Sequence, residues 1–160
     1  AAGAASVTCV DRSQLALDAA QRTADENSLA LQTRCGDALD VMRALQAEGA
    51  RFDVVIVDPP ALIKRRKDEQ AGLGHYAALN RAAMQLLADD GILISCSCSY
   101  HLDVFQLQRL LAREAHGLGR QLQLLESGQQ GPDHPVHPAM PETRYLKGFV
   151  CRLHVDGASA

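Results

Sequence analysis

The chain has 160 residues, 47% of them hydrophobic and 22% charged, so it is long enough to bury one core and is no disordered tail. Its formal net charge of −3 excludes a generally basic nucleic-acid binder but leaves room for a local basic patch. No apolar run reaches the ~18 residues of a membrane span. Five irregularly placed cysteines make no disulfide framework and read as reduced thiols of a cytoplasmic protein.

In chain order, Val7 to Val10 reads as a buried strand ended by Asp11. Ser13 can cap a helix from Gln14 to about Asn27, with Leu15, Ala19 and Arg22 at helical spacing. Leu29 to Cys35 is a second strand, and Ala38 to Glu48 a helix with Val41, Met42 and Leu45 turned inward. Phe52 to Val57 is the clearest buried strand; Asp58-Pro59-Pro60 stops it, because proline cannot donate to a ladder. The charged stretch that follows, Ile63 to Leu73, is expected to be exposed and poorly packed, with a helix from His75 to Ala88. Asp89-Asp90-Gly91 reads as a turn, Gly91 to Ser97 as a buried strand and Leu102 to His116 as a helix. Gln121 to Glu126 and Tyr145 to His154 are the last strands, separated by a proline-rich loop. This alternation implies an α/β fold with a mostly parallel sheet covered on both faces.

In such sheets ligands bind beyond the carboxyl ends of the strands. Asp11 stands at one such end, where a carboxylate suits a ribose diol; capping the next helix is the alternative. Asp37 has the same two readings, with an adenine amine as its ligand. Asp58-Pro59-Pro60 fixes the backbone after a central strand and can face a flat substrate, or is simply a rigid exit. Cys98, in Ser97-Cys98-Ser99, can serve as a nucleophile or be a core thiol. Cys96 is expected in the core and Cys98 at the open edge near Asp58. Cys96-x-Cys98 lacks partners for a metal, and no metal site is expected. Lys64-Arg65-Arg66-Lys67 is a solvated surface or a phosphate contact.

Taken together, these residues resemble the class I S-adenosylmethionine-dependent methyltransferases. They are most similar to the ribosomal large-subunit RNA cytosine-carbon-5 methyltransferase I family. The stretches that carry the resemblance are Val10-Asp11-Arg12-Ser13, Gly36-Asp37-Ala38, Phe52 through Pro60, Arg66-Lys67-Asp68, Gly91-Ile92-Leu93, Ser97-Cys98-Ser99, Asp133-His134-Pro135 and Tyr145 through Phe149. The resemblance implies a Rossmann-like sheet, S-adenosylmethionine as cofactor and ribosomal RNA as partner. Asp11 would take the ribose hydroxyls and Asp37 the adenine, with Asp58 also on the cofactor side. Asp58, Pro59 and Pro60 would face the substrate base, with Asp58 a candidate for the proton-abstracting base. Cys98 would be the nucleophile, and Lys64, Arg65, Arg66 and Lys67 would contact RNA.

The family's aromatic residue after Pro-Pro is missing at Ala61-Leu62. Its first strand, expected between the strands at Val7 and Val54, and its Gly-rich loop are not found in these residues, nor is its PUA-type domain. The expectation is therefore a partial catalytic domain over residues 1–160, inactive by itself. Two other readings are an exocyclic-amine RNA methyltransferase on the same fold, without a covalent step, and a non-catalytic RNA-binding domain.

Overall fold

The computed structural model describes residues 3–155, in two compact units that divide after Gly49. The first unit holds β1 (Thr8–Asp11), α1 (Gln14–Glu26), β2 (Gln32–Cys35) and α2 (Ala38–Ala47). β1 and β2 pair in parallel, Asp11 opposite Cys35, so both strands end at the same edge. Ser13 caps α1 by accepting from the Ala16 amide, as its position predicts. The buried stripe of α1 differs from the expected one. Leu17 and Ala24 are buried while Leu15 is exposed, because positions 17, 20, 21 and 24 form the inward face.

The second unit holds β3 (Phe52–Val57), α3 (Glu69–Leu86), β4 (Leu87–Ser97), α4 (Val104–His116), β5 (Arg120–Gly128) and β6 (Lys147–Val155), with short 3-10 turns at Arg66–Asp68 and Pro141–Thr143. The sheet order is β3-β4-β6-β5. β3 and β4 are parallel; β6 runs antiparallel to both β4 and β5. Among the described residues no strand pairs with the second edge of β1 or of β3.

One face of the second sheet carries the core. Leu93, Phe149, Cys151 and Leu153 are buried there, along with Tyr76, Ala83 and Met84 of α3 and Leu107, Leu110, Leu111 and Ala115 of α4. The α4 set recurs at helical spacing, so one stripe is buried and Asp103 and Gln106 close the helix start as a capping box. Burying each such leucine contributes about 1.5–3 kcal/mol. Among the described residues no helix is long and apolar enough to cross a membrane.

Two sequence expectations fail here. α3 begins at Glu69, six residues before His75, and Ile63 is buried at 1% exposure. Gly72 and Gly74 lower helix propensity, which hid the first turns from a sequence reading. Tertiary packing decides otherwise, because Gly72 lies directly against Leu62 and Ile63. Likewise Asp89-Asp90-Gly91 is no simple turn. It is a bulge inside β4, with Phe52 opposite Leu87 but Val54 opposite Ile92, and Asp90 takes a positive φ of 64°.

Candidate active site

β3 and β4 run side by side in parallel, Val57 opposite Ser95, so Asp58-Pro59-Pro60 and Cys98-Ser99 leave the sheet at one edge, Cys96 and Ser97 being the last residues of β4. Asp58 is exposed there and Pro59 half-buried. The Cys98 thiol is half-buried and donates a long, weak hydrogen bond of 3.9 Å to the Pro59 carbonyl. Asp58, Pro59 and Cys98 are thus brought together, as expected. Cys96 is not in the core. Side-chain alternation continues through Ser99, so Cys96 and Cys98 share one half-buried face while Ser95, Ser97 and Ser99 point into the packed one. Burial and then the Asp58 charge push the Cys96 thiol up.

A buried polar network fixes the backbone on both sides of Cys98. The Tyr76 hydroxyl lies 2.9 Å from Ser97 Oγ and 2.9 Å from Ser99 Oγ. Ser97 Oγ accepts from the Ser99 amide at 3.1 Å, and Ser99 Oγ accepts from the Ile63 amide at 3.0 Å. The Ser99 carbonyl accepts from the Leu102 amide and from Lys147 Nζ. With every hydroxyl partnered, such a network rigidifies the segment it holds. Tyr76 and Lys147 went unassigned in the sequence reading. The signal in the sequence is a lysine within the strand-like run from Tyr145 to His154; the structure sets it opposite Ser97.

Lys147 is only 8% exposed, and burial pulls its ammonium below the ordinary value of 10.5, opposed by the charges of Cys98 and Asp103. A lowered lysine value means that the unfolded chain holds this proton to higher pH than the folded one. Stability linked to Lys147 therefore rises as pH climbs toward 10.5. Cys151 acts oppositely: burial pushes its thiol from 9.0 to about 11, so its contribution is lost as pH rises through that range. Urea unfolding of Lys147→Met against the native chain cancels the Cys151 part. The expected difference is the loss of a stability rise on the alkaline side; parallel pH profiles would contradict the buried ammonium.

The basic run follows the same exit. Lys64, Arg65, Arg66 and Lys67 are all exposed, and Arg65 pairs with Asp68 at 2.9 Å. In the loop before β6, Gln130 ties the Tyr145 amide to the Thr143 carbonyl, and the Tyr145 hydroxyl lies 3.4 Å from His134 Nδ1.

In the first unit, Asp11 and Asp37 stand just beyond β1 and β2. Asp11 is exposed and one of its oxygens accepts from the Ser13 amide at 2.7 Å. Asp37 caps α2 through the Leu39 amide at 3.0 Å, and its other oxygen pairs with Arg12. That guanidinium holds the Asp37 carboxyl below the usual carboxylate value. Asp37 is thus the N-cap of α2, whereas α1 is capped by Ser13 and Asp11 accepts only from the Ser13 amide.

A family model described as "Methyltransferase small domain" matches residues 1–113. The chain belongs to that family. A Ribosomal RNA large subunit methyltransferase I of Serratia proteamaculans is 38% identical to this methyltransferase chain over 154 residues, 94% of the chain and 39% of the relative. The chain thus spans about two-fifths of the length of the curated relatives it matches. Among solved structures, SMU.776, described as a methyltransferase complexed with SAH, superposes with a TM-score of 0.78 at 23% identity, over 94% of this chain and 40% of that one. A protein from Streptococcus mutans described as a SAM-dependent methyltransferase gives 0.79 at 20% identity, over 94% and 39%. At these identities the likenesses speak to the fold, an α/β one.

Proposed function

We propose that residues 1–160 form part of the catalytic domain of an S-adenosylmethionine-dependent RNA methyltransferase, acting at carbon 5 of a cytosine in large-subunit ribosomal RNA. The observation that carries this reading is the Cys98 thiol, held 3.9 Å from the Pro59 carbonyl at the common exit of β3 and β4. The relatives' name points to the substrate class.

The chain's residues fit the adenosine half of the cofactor. Asp11 is an exposed carboxylate at a strand end, an acceptor for a diol. Asp37 can accept from an amine once Arg12 yields. When bound, S-adenosylmethionine supplies an electrophilic methyl group. Carbon 5 of cytosine is a poor nucleophile by itself. The Cys98 thiolate forms a bond from Sγ to carbon 6, and the displaced π electrons make carbon 5 enamine-like and able to take the methyl. Asp58 at the same edge then accepts the carbon-5 proton, and the Sγ–carbon 6 bond breaks to return the thiolate. Pro59 and Pro60 hold the backbone beside the base, and Lys64, Arg65, Arg66 and Lys67 meet phosphates.

The test is substrate RNA carrying 5-fluorocytosine at the target. Fluorine cannot leave as a proton does, so the adduct persists. The full-length protein should gain the mass of the RNA on the peptide containing Cys98. A turnover-competent preparation that forms no adduct, or forms it on Cys96, would overturn this mechanism.

A further inference from the structure

The chain has three tyrosines, three phenylalanines and no tryptophan. Tyr76 and Phe149 are fully buried, as large aromatic side chains in a small core should be. Two others are placed differently. Tyr100, two residues after Cys98, is 47% exposed, and Phe105, in the first turn of α4, is 70% exposed. Tyr100 meets the His101 ring edge-on, with centroids 5.4 Å apart. A lone exposed aromatic is ordinary; two within six residues of one another beside a candidate nucleophile call for a partner.

The hydrogen bond from the Ile63 amide to Ser99 Oγ indicates which partner. It pins residue 63 to residue 99, so the exposed basic run from Lys64 and the exposed aromatic segment from Tyr100 leave one junction. Arg65 is paired with Asp68; among the described residues Lys64, Arg66 and Lys67 make no ion pair. Unpaired cations next to exposed rings are the combination that single-stranded nucleic acid uses, with phosphates on the cations and bases stacked on the rings. The net charge of −3 makes this local concentration of cations more telling.

We propose that Tyr100 and Phe105 are base-stacking side chains for a single-stranded RNA segment whose phosphates lie on Lys64, Arg66 and Lys67. The inference rests on the RNA reading above and adds the residues that grip the strand next to Cys98. Stacking needs the ring and not the hydroxyl, so Tyr100→Phe retains affinity. Tyr100→Ala and Phe105→Ala each weaken binding by about tenfold or more.

The absence of tryptophan gives a direct probe. Tyr100→Trp and Phe105→Trp each add one indole to the full-length protein, read as the difference from the same protein without the substitution. The added indole's emission is followed while a labelled single-stranded cytosine-containing RNA is titrated by anisotropy. The expected result is quenching of both indoles with the midpoint of the anisotropy curve, and no quenching by heparin, which has charge but no bases. RNA binding with unchanged emission would overturn the stacking proposal and leave the RNA reading standing. A flat anisotropy curve would overturn both. Equal quenching by heparin would assign the signal to charge alone and also overturn stacking.

Discussion

Replacing Cys98 with serine in the full-length protein removes methyl transfer, by on the order of a thousandfold or more. The substitution is nearly isosteric and Cys98 takes no part in the Tyr76–Ser97–Ser99 network, so folding and RNA binding are retained. On the proposed mechanism what is lost is the nucleophile, because a serine hydroxyl is far less readily ionised than a thiol and adds poorly to a pyrimidine at neutral pH. The companion variant Cys96→Ser keeps its activity. Burial and the Asp58 charge push the Cys96 thiol up, so it stays protonated where a nucleophile must not. Single-turnover methyl transfer with both variants is the measurement. Full activity of Cys98→Ser would exclude the covalent route and favour methylation of an exocyclic amine on the same fold.

Gly72→Ala is the second large effect, from one methyl group far along the sequence from Cys98. In an ordinary helix interior this change adds up to about 1 kcal/mol of stability. Here the added Cβ would sit 2.3 Å from Ile63 Cγ1, 2.9 Å from the Leu62 carbonyl oxygen and 3.2 Å from its carbon. A side chain can rotate away, but two of those atoms are backbone, so the Leu62–Ile63 segment itself must shift. Overpacking of this kind costs about 1–3 kcal/mol, which outweighs the propensity gain. The shift also pulls the Ile63 amide away from Ser99 Oγ and loosens the segment carrying Cys98. The expected result is a melting temperature lower by about 2–6 °C and a fall in kcat larger than the change in KM. A variant that melts higher and works normally would refute the tight approach of α3 to this segment.

Much of the site was legible because strand ends announce themselves. Phe52–Val57 carries the apolar run Val54–Val57, stopped by Asp58 and two prolines, and the structure keeps those bounds. Asp58 and Cys98 follow from the rule that parallel strands present chemistry at their carboxyl ends. The network behind Cys98 was not legible, because its members meet only through tertiary packing. Tyr76 and Ser97 are 21 residues apart, and Lys147 and Ser99 are 48 apart. The start of α3 was hidden for a related reason: glycine at 72 is a poor local choice that a close helix approach requires. Cys96 departs from its expected core position because side-chain alternation continues two residues beyond the hydrogen-bonded ladder.

The bulge at Asp90 determines which changes of chain length this fold can absorb. On its near side, between Leu87 and Gly91, the ladder already skips residues, and one residue more or fewer alters only the size of the excursion. Beyond Gly91 every position is committed to a face. A single deletion between Ile92 and Ser97 would turn Cys98 under α3 and bring a serine out in its place. Descendants of this sequence can therefore drift in length upstream of Gly91, while the stretch from there to the thiol must be inherited as a fixed count.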